Sequence, residues 1–119
     1  MTELDVEDNK LLVLAKGALG RTDGGSGAAI RDTDGRTYSA GEVSLQSLRL
    51  TALQAAVAAA ISSGAEGFEA AVVVGGRLSD PGVFAVREVS AETRIIFTDR
   101  SGAVFEIVDD ADTAEVHGG

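Results

Sequence analysis

The chain has no cysteine, no tryptophan, one proline (Pro81), one tyrosine and one histidine. Without cysteine it has no disulfide, no thiol nucleophile, no iron–sulfur cluster and no cysteine-ligated zinc. The single histidine, His117, lies three residues from the end. A Ser-His-Asp mechanism is thereby excluded from the folded core, and carboxylates remain as the metal ligands available there. Positive charge is also scarce. Ten Lys and Arg face 19 Asp and Glu, a formal charge of -9, which repels phosphate backbones and anionic lipid, so neither nucleic acid nor a membrane surface is an expected partner. No basic start leads into an apolar targeting segment. The longest apolar-rich stretch, Leu50 to Ile61, is shorter than the ~20 residues that span a bilayer. The expected location is the cytoplasm.

What is present suits one domain. Its 119 residues, 45% hydrophobic, can build a core and exclude wholesale disorder. Abundant Ala, Gly and Val with only two lysines points to a GC-rich bacterial genome. Leu4, Leu11, Leu12, Ala15 and Leu19 share a helical face behind Glu3, Asp5, Glu7 and Asp8, which predicts a helix from about Glu3 to Ala18, with Gly17 and Gly20 as its stop. Two short strand-like runs, Ala28 to Arg31 and Thr37 to Ala40, flank the Asp34-Gly35 turn and predict a hairpin. Gly27, Ala28 and Ala29 leave room for a closely packed cover, expected to be the long helix that follows.

That helix is read from the stretch beginning at Ser44, capped by Ser44 or Ser47 and ended by Gly64, with Leu45, Leu48, Leu53, Val57 and Ile61 as its stripe. Between Leu50 and Ile61 only Thr51 and Gln54 are polar, so burial on several sides, one of them by a second subunit, is expected. Phe68 to Val74 is a continuous apolar run, the pattern of a strand covered on both faces. Gly75-Gly76 and Asp80-Pro81-Gly82 punctuate a loop before a short helix from Val83 to Ala91. Arg94 to Thr98 and Ala103 to Val108 complete five strands. The predicted fold is α/β, a three-layer α/β/α sandwich on a five-stranded mixed sheet, over residues 1–108. Residues 109–119 read as an acidic polar tail.

Motifs for chemistry are weak. Gly24-Gly25-Ser26-Gly27 precedes a strand instead of opening a helix and lacks the lysine of a phosphate loop, so it reads as a connector. Asp32 and Asp34 fit a solvated turn better than a cation site. The tail acids lack the spacing of a calcium loop.

The order helix, hairpin, long apolar helix, buried strand, Pro-containing turn and two strands resembles the small tetrameric zinc-type cytidine deaminases, over about Leu11 to Val108. Gly27-Ala28-Ala29-Ile30 is similar to that family's V-G-A-A-L strand, Asp34-Gly35-Arg36 to its D-G-x hairpin and Ala40-Gly41-Glu42-Val43 to its G-x-N-V segment. Thr51 to Val57 is similar to the C-A-E-R-T-A-I helix start, with Gly64 and Ala70 to Val74 in register. The family holds zinc with Cys or His ligands, the metal activates water, and a Glu shuttles protons.

Carried over by this resemblance, the first ligand falls on Thr51, the proton-shuttling Glu on Leu53, and the two cysteines of P-C-x-x-C on Gly82 and Ala85. The ribose-contacting Asn and Glu fall on Glu42 and Ser44, and the aromatic before V-G-A-A on Gly24. Lowering the pKa of water from about 15.7 to about 7 depends on the metal, so the resemblance implies a catalytically inactive relative with no cofactor and no metal. Its role would be binding or assembly, as a dimer or tetramer built through the Leu50 to Ile61 helix. Two alternatives stand beside it: a nucleoside or nucleotide sensor without turnover, and a related hydrolase using a carboxylate site at Glu42, Asp80 or Glu88.

Overall fold

The computed structural model describes residues 4–109. The first helix, α1 (Val6–Arg21), leads into the hairpin β1 (Gly27–Asp32) and β2 (Thr37–Gly41). A two-stranded ribbon, β3 (Val43–Ser44) and β4 (Arg49–Leu50), precedes α2 (Ala52–Ser62). Then follow β5 (Phe68–Val74), α3 (Gly82–Val89), β6 (Arg94–Thr98) and β7 (Val104–Val108). The main sheet runs β2-β1-β5-β6-β7. It is mixed as expected: β5 and β6 are parallel, with α3 as the crossover, and the other pairs are antiparallel.

Strand alternation builds the two cores. On β5, Ala71 and Val73 face the α2 side while Ala70, Val72 and Val74 face α1, so from Ala70 on every second side chain feeds one layer; Phe68, beside the register shift at Arg31 and Asp32, joins the α2 side. Ile95 and Phe97 against Ile96 on β6, and Ala28 and Ile30 against Ala29 on β1, repeat the pattern. The continuous apolar run is therefore a strand covered on both faces, and the three layers are real.

Several element boundaries differ from the sequence reading. The first helix starts later, with Asp5 as its cap (its carboxylate accepts from Asp8 N, 2.8 Å), and it continues through Gly17 and Gly20 to Arg21. Glycine costs about 1 kcal/mol in a helix, but packing outweighs it. A Cβ on Gly27 would stand 2.5 Å from Leu19 N and 3.0 Å from Leu19 Cα, so α1, and not α2, covers the glycine end of β1. Ala29 also faces α1, while Ala28 faces α2.

The long helix is shorter than expected. Neither Ser44 nor Ser47 caps it; Thr51 does, and Leu50 belongs to β4. Thr51 and Gln54 satisfy each other's backbone N–H in a capping box, which defines the start more strongly than the leucine stripe. Leu45 and Leu48 are exposed on the ribbon. Gly64 does end the helix, at φ +99°, with its N–H on Ile61 O. No helix of the described residues is long and apolar enough to cross a membrane. The acidic tail beyond Asp109, with His117, lies outside the described residues.

Candidate functional site

The site grows from two helix starts. Thr51 caps α2: its Oγ1 accepts from Gln54 N (3.1 Å), and its backbone N–H donates to Gln54 Oε1 (3.0 Å). The Thr51 hydroxyl proton is left over and donates to Asp80 Oδ1 at 2.8 Å. The same oxygen accepts from Gly82 N at 2.7 Å. Asp80 thus clasps the starts of α2 and α3 while being only 8% exposed. The sequence arranges this locally. Pro81 is the N-cap of α3 and has no side-chain acceptor to bond the helix start, so the Asp80 carboxylate just before it takes the Gly82 N–H instead. Each helix start carries a partial positive charge, which a carboxylate between them stabilises.

Behind the clasp lies hydrocarbon. Leu53 is fully buried, and a Cβ on Gly82 would stand 2.8 Å from both Leu53 Cβ and Leu53 Cγ. Ala85, farther along α3, packs half-buried against the core cluster that contains Leu53. Thr51, Leu53 and Gly82 therefore meet, with Ala85 on the same core.

In front of the clasp is a cleft of about 200 Å³, lined by Ser26, Glu42, Thr51, Gly75, Gly76, Arg77, Ser79, Asp80 and Pro81. Glu42 is tied down there, its carboxylate accepting from Gly25 N and from Ser26 Oγ, each at 3.1 Å. Gly24 makes room for it, since a Cβ at that position would lie 2.9 Å from Glu42 Cβ. Gly24, Glu42 and Ser44 line an adjoining groove, and Glu42 is common to groove and cleft. The structure so gathers six of the seven residues singled out in the sequence, Thr51, Leu53, Gly82, Gly24, Glu42 and Ser44, around one corner. Of the carboxylate alternatives, Glu42 and Asp80 share the cleft, whereas Glu88 does not line it and points to solvent from α3. Among the described residues no group of three or more His, Cys, Asp or Glu is placed to hold a metal ion.

Sequence reasoning missed the clasp itself. The signal was available in two pieces, Thr-x-x-Gln as a capping box and Asp-Pro as a helix start, but their meeting across 29 residues is tertiary. Ser26, buried and bonded to Glu42, was also overlooked.

Comparison with known proteins places the chain in a family. No curated protein matches the chain. Among solved structures, a cytidine deaminase from Burkholderia pseudomallei is similar over 94% of this chain and 95% of its own, with a TM-score of 0.75 at 21% identity. One from Mycobacterium leprae is similar over 92% and 98%, with a TM-score of 0.69 at 18% identity. At those identities the likeness is one of fold. A cytidine deaminase from Mycobacterium tuberculosis is 29% identical over 76% of this chain and 85% of its own, with a TM-score of 0.59. Residues 4–102 match the sequence model described as cytidine deaminase-like, a span running from the start of the described residues to the turn before β7, and this chain belongs to that family.

Proposed function

We propose that this chain is a catalytically inactive member of the cytidine deaminase-like family that acts by binding or assembly. One observation supports the reading: the corner onto which the resemblance carries the family's reaction centre has Leu53 packed against Gly82 and Thr51 bonded to Asp80. The residues do not fit a zinc ion. A ligand side chain at Gly82 would overlap Leu53, and a threonine hydroxyl donating to a carboxylate is a poor metal donor beside the Cys and His that zinc prefers. A leucine carries no proton, so Leu53 supplies no general acid or base.

The test is cytidine turnover by the purified chain, with and without added Zn²⁺. No uridine above the rate without protein is expected, and zinc-dependent uridine formation would overturn the reading. Metal analysis of the same sample is expected to find no stoichiometric zinc.

A second reading, ligand binding without turnover, is favoured by the open cleft between Glu42 and Asp80. For assembly, α2 leaves Ala58, Ile61 and Ser62 exposed, Ile61 by 45%, while Ala52, Leu53, Ala56, Val57 and Ala60 are buried in the core. We propose that this face contacts a second copy. Light scattering should then report an oligomer for the native chain and a smaller species for Ala58→Glu with unchanged circular dichroism. Equal masses would refute the α2 interface.

A further inference from the structure

Only half of the clasping carboxylate is in use. Asp80 Oδ1 takes the Thr51 hydroxyl and the Gly82 N–H, while Oδ2 receives no hydrogen bond from any described residue. Among the described residues, the buried side-chain atom cut off from solvent with no partner is Arg31 Nη1. Asp80 Oδ2 is not such an atom, so it keeps its opening to the cleft although the residue is 8% exposed. Gly76 lies beside that oxygen, the position of a Cβ there being at ordinary contact distance, 3.9 Å, from Oδ2.

A carboxylate oxygen that faces a cleft with no protein donor on it is best satisfied by a charged N–H donor, whose hydrogen bonds are roughly twice as strong as neutral ones. The other carboxylate of the cleft, Glu42, already accepts from Gly25 N and Ser26 Oγ. Anions fare worse. The positive helix ends that would attract a phosphate already face Asp80, and two carboxylates against Arg77 leave the lining negative. At about 200 Å³ the cleft itself is smaller than the roughly 300–1,000 Å³ of drug-sized ligand sites, so an occupant of a few heavy atoms fills it.

We propose that the cleft binds a small cationic hydrogen-bond donor, an alkylammonium or amidinium compound, on Asp80 Oδ2. This rests on the reading above that the corner serves binding instead of deamination. The experiment titrates the full ¹⁵N-labelled chain with acetamidinium chloride and with methylammonium chloride, against sodium phosphate at matched ionic strength. Saturable shifts of the Gly75, Gly76 and Gly82 amides are expected with the cations and not with phosphate.

Asp80→Asn keeps a carbonyl oxygen for Thr51 and Gly82 but turns the cleft-facing atom into a donor, and should weaken cation binding at least tenfold. Arg77→Glu, at an exposed position, should strengthen it several-fold, and decides the matter if Asp80→Asn fails to fold. Unchanged affinity in the variant that decides, no saturable shift with either cation, or phosphate moving the same amides would overturn the proposal. Uridine formation from cytidine in the same samples would overturn the preceding reading instead, so the two failures are told apart.

Discussion

Leu53 and Gly82 provide a direct measure of how tightly the corner is closed. Substituting Gly82→Ala places a methyl 2.8 Å from two carbons of Leu53 and 3.0 Å from Asp80 Oδ1, where carbon atoms prefer about 3.5–4.0 Å. Gly82 lies outside the left-handed backbone region, so no backbone strain adds to the overlap. Overpacking of this kind costs about 1–3 kcal/mol. Leu53→Ala, at a fully buried position, costs about 2–5 kcal/mol. In the Leu53→Ala background the overlap with Cγ is gone while the contacts to the residue-53 Cβ and to Asp80 Oδ1 remain, so part of the overpacking is relieved. The double variant should therefore be more stable than the sum of the singles predicts, by about 1 kcal/mol, or roughly 4 °C in Tm at this chain length. Urea unfolding followed by far-ultraviolet circular dichroism suits a chain without tryptophan. Additivity within about 0.5 kcal/mol would mean that the two residues do not press on each other, and the filled-corner account would fail.

Other substitutions probe the supports of this corner and of the sheet behind it. Thr51→Val removes both the α2 cap and the donor to Asp80 and should cost about 1–2 kcal/mol by denaturant unfolding, with Thr51→Ser recovering most of it. Gly27→Ala should cost about 3 kcal/mol, because its methyl meets Leu19 backbone atoms at 2.5 and 3.0 Å, and a helix yields less readily than a side-chain tip. Asp8→Ala should cost about 2–3 kcal/mol, since Asp8, with its side chain 4% exposed, pairs with Arg31 at 3.2 Å and would leave Glu69 as the guanidinium's remaining ionic partner. Burial alone would raise the Asp32 carboxyl, but the Arg36 N–H, the Tyr38 hydroxyl and the Asp34 N–H together hold it below its ordinary value. Its stabilising contribution is therefore complete above the ordinary carboxylate range and lost as pH falls through the depressed folded value. A Tm-against-pH curve should show a shallower acid limb for Asp32→Asn, and parallel limbs would contradict this role.

The strands were readable because their chemistry is local. Phe68 to Val74 carries apolar side chains on both faces whichever way it is turned, and Asp34-Gly35 fixes a hairpin within four residues. The start of α2 was misread because Leu45 and Leu48 continue the spacing of Leu53 and Val57, although nothing in the fold buries them; the short-range signal was Thr51 with Gln54. For the site, sequence likeness could say only onto which positions the family's groups would fall. It could not say what does their electrostatic work. Two helix starts converging on one place create a positive field that favours an anion. Thr51, Leu53 and Gly82 supply none, and a corner made of those three alone would leave that field uncompensated. Asp80 supplies it from the preceding loop, and its carboxylate closes the hydrogen bonds of both starts at once. The corner is therefore organised around an internal carboxylate, and the binding of hydrogen-bond donors proposed above rests on the one oxygen left over.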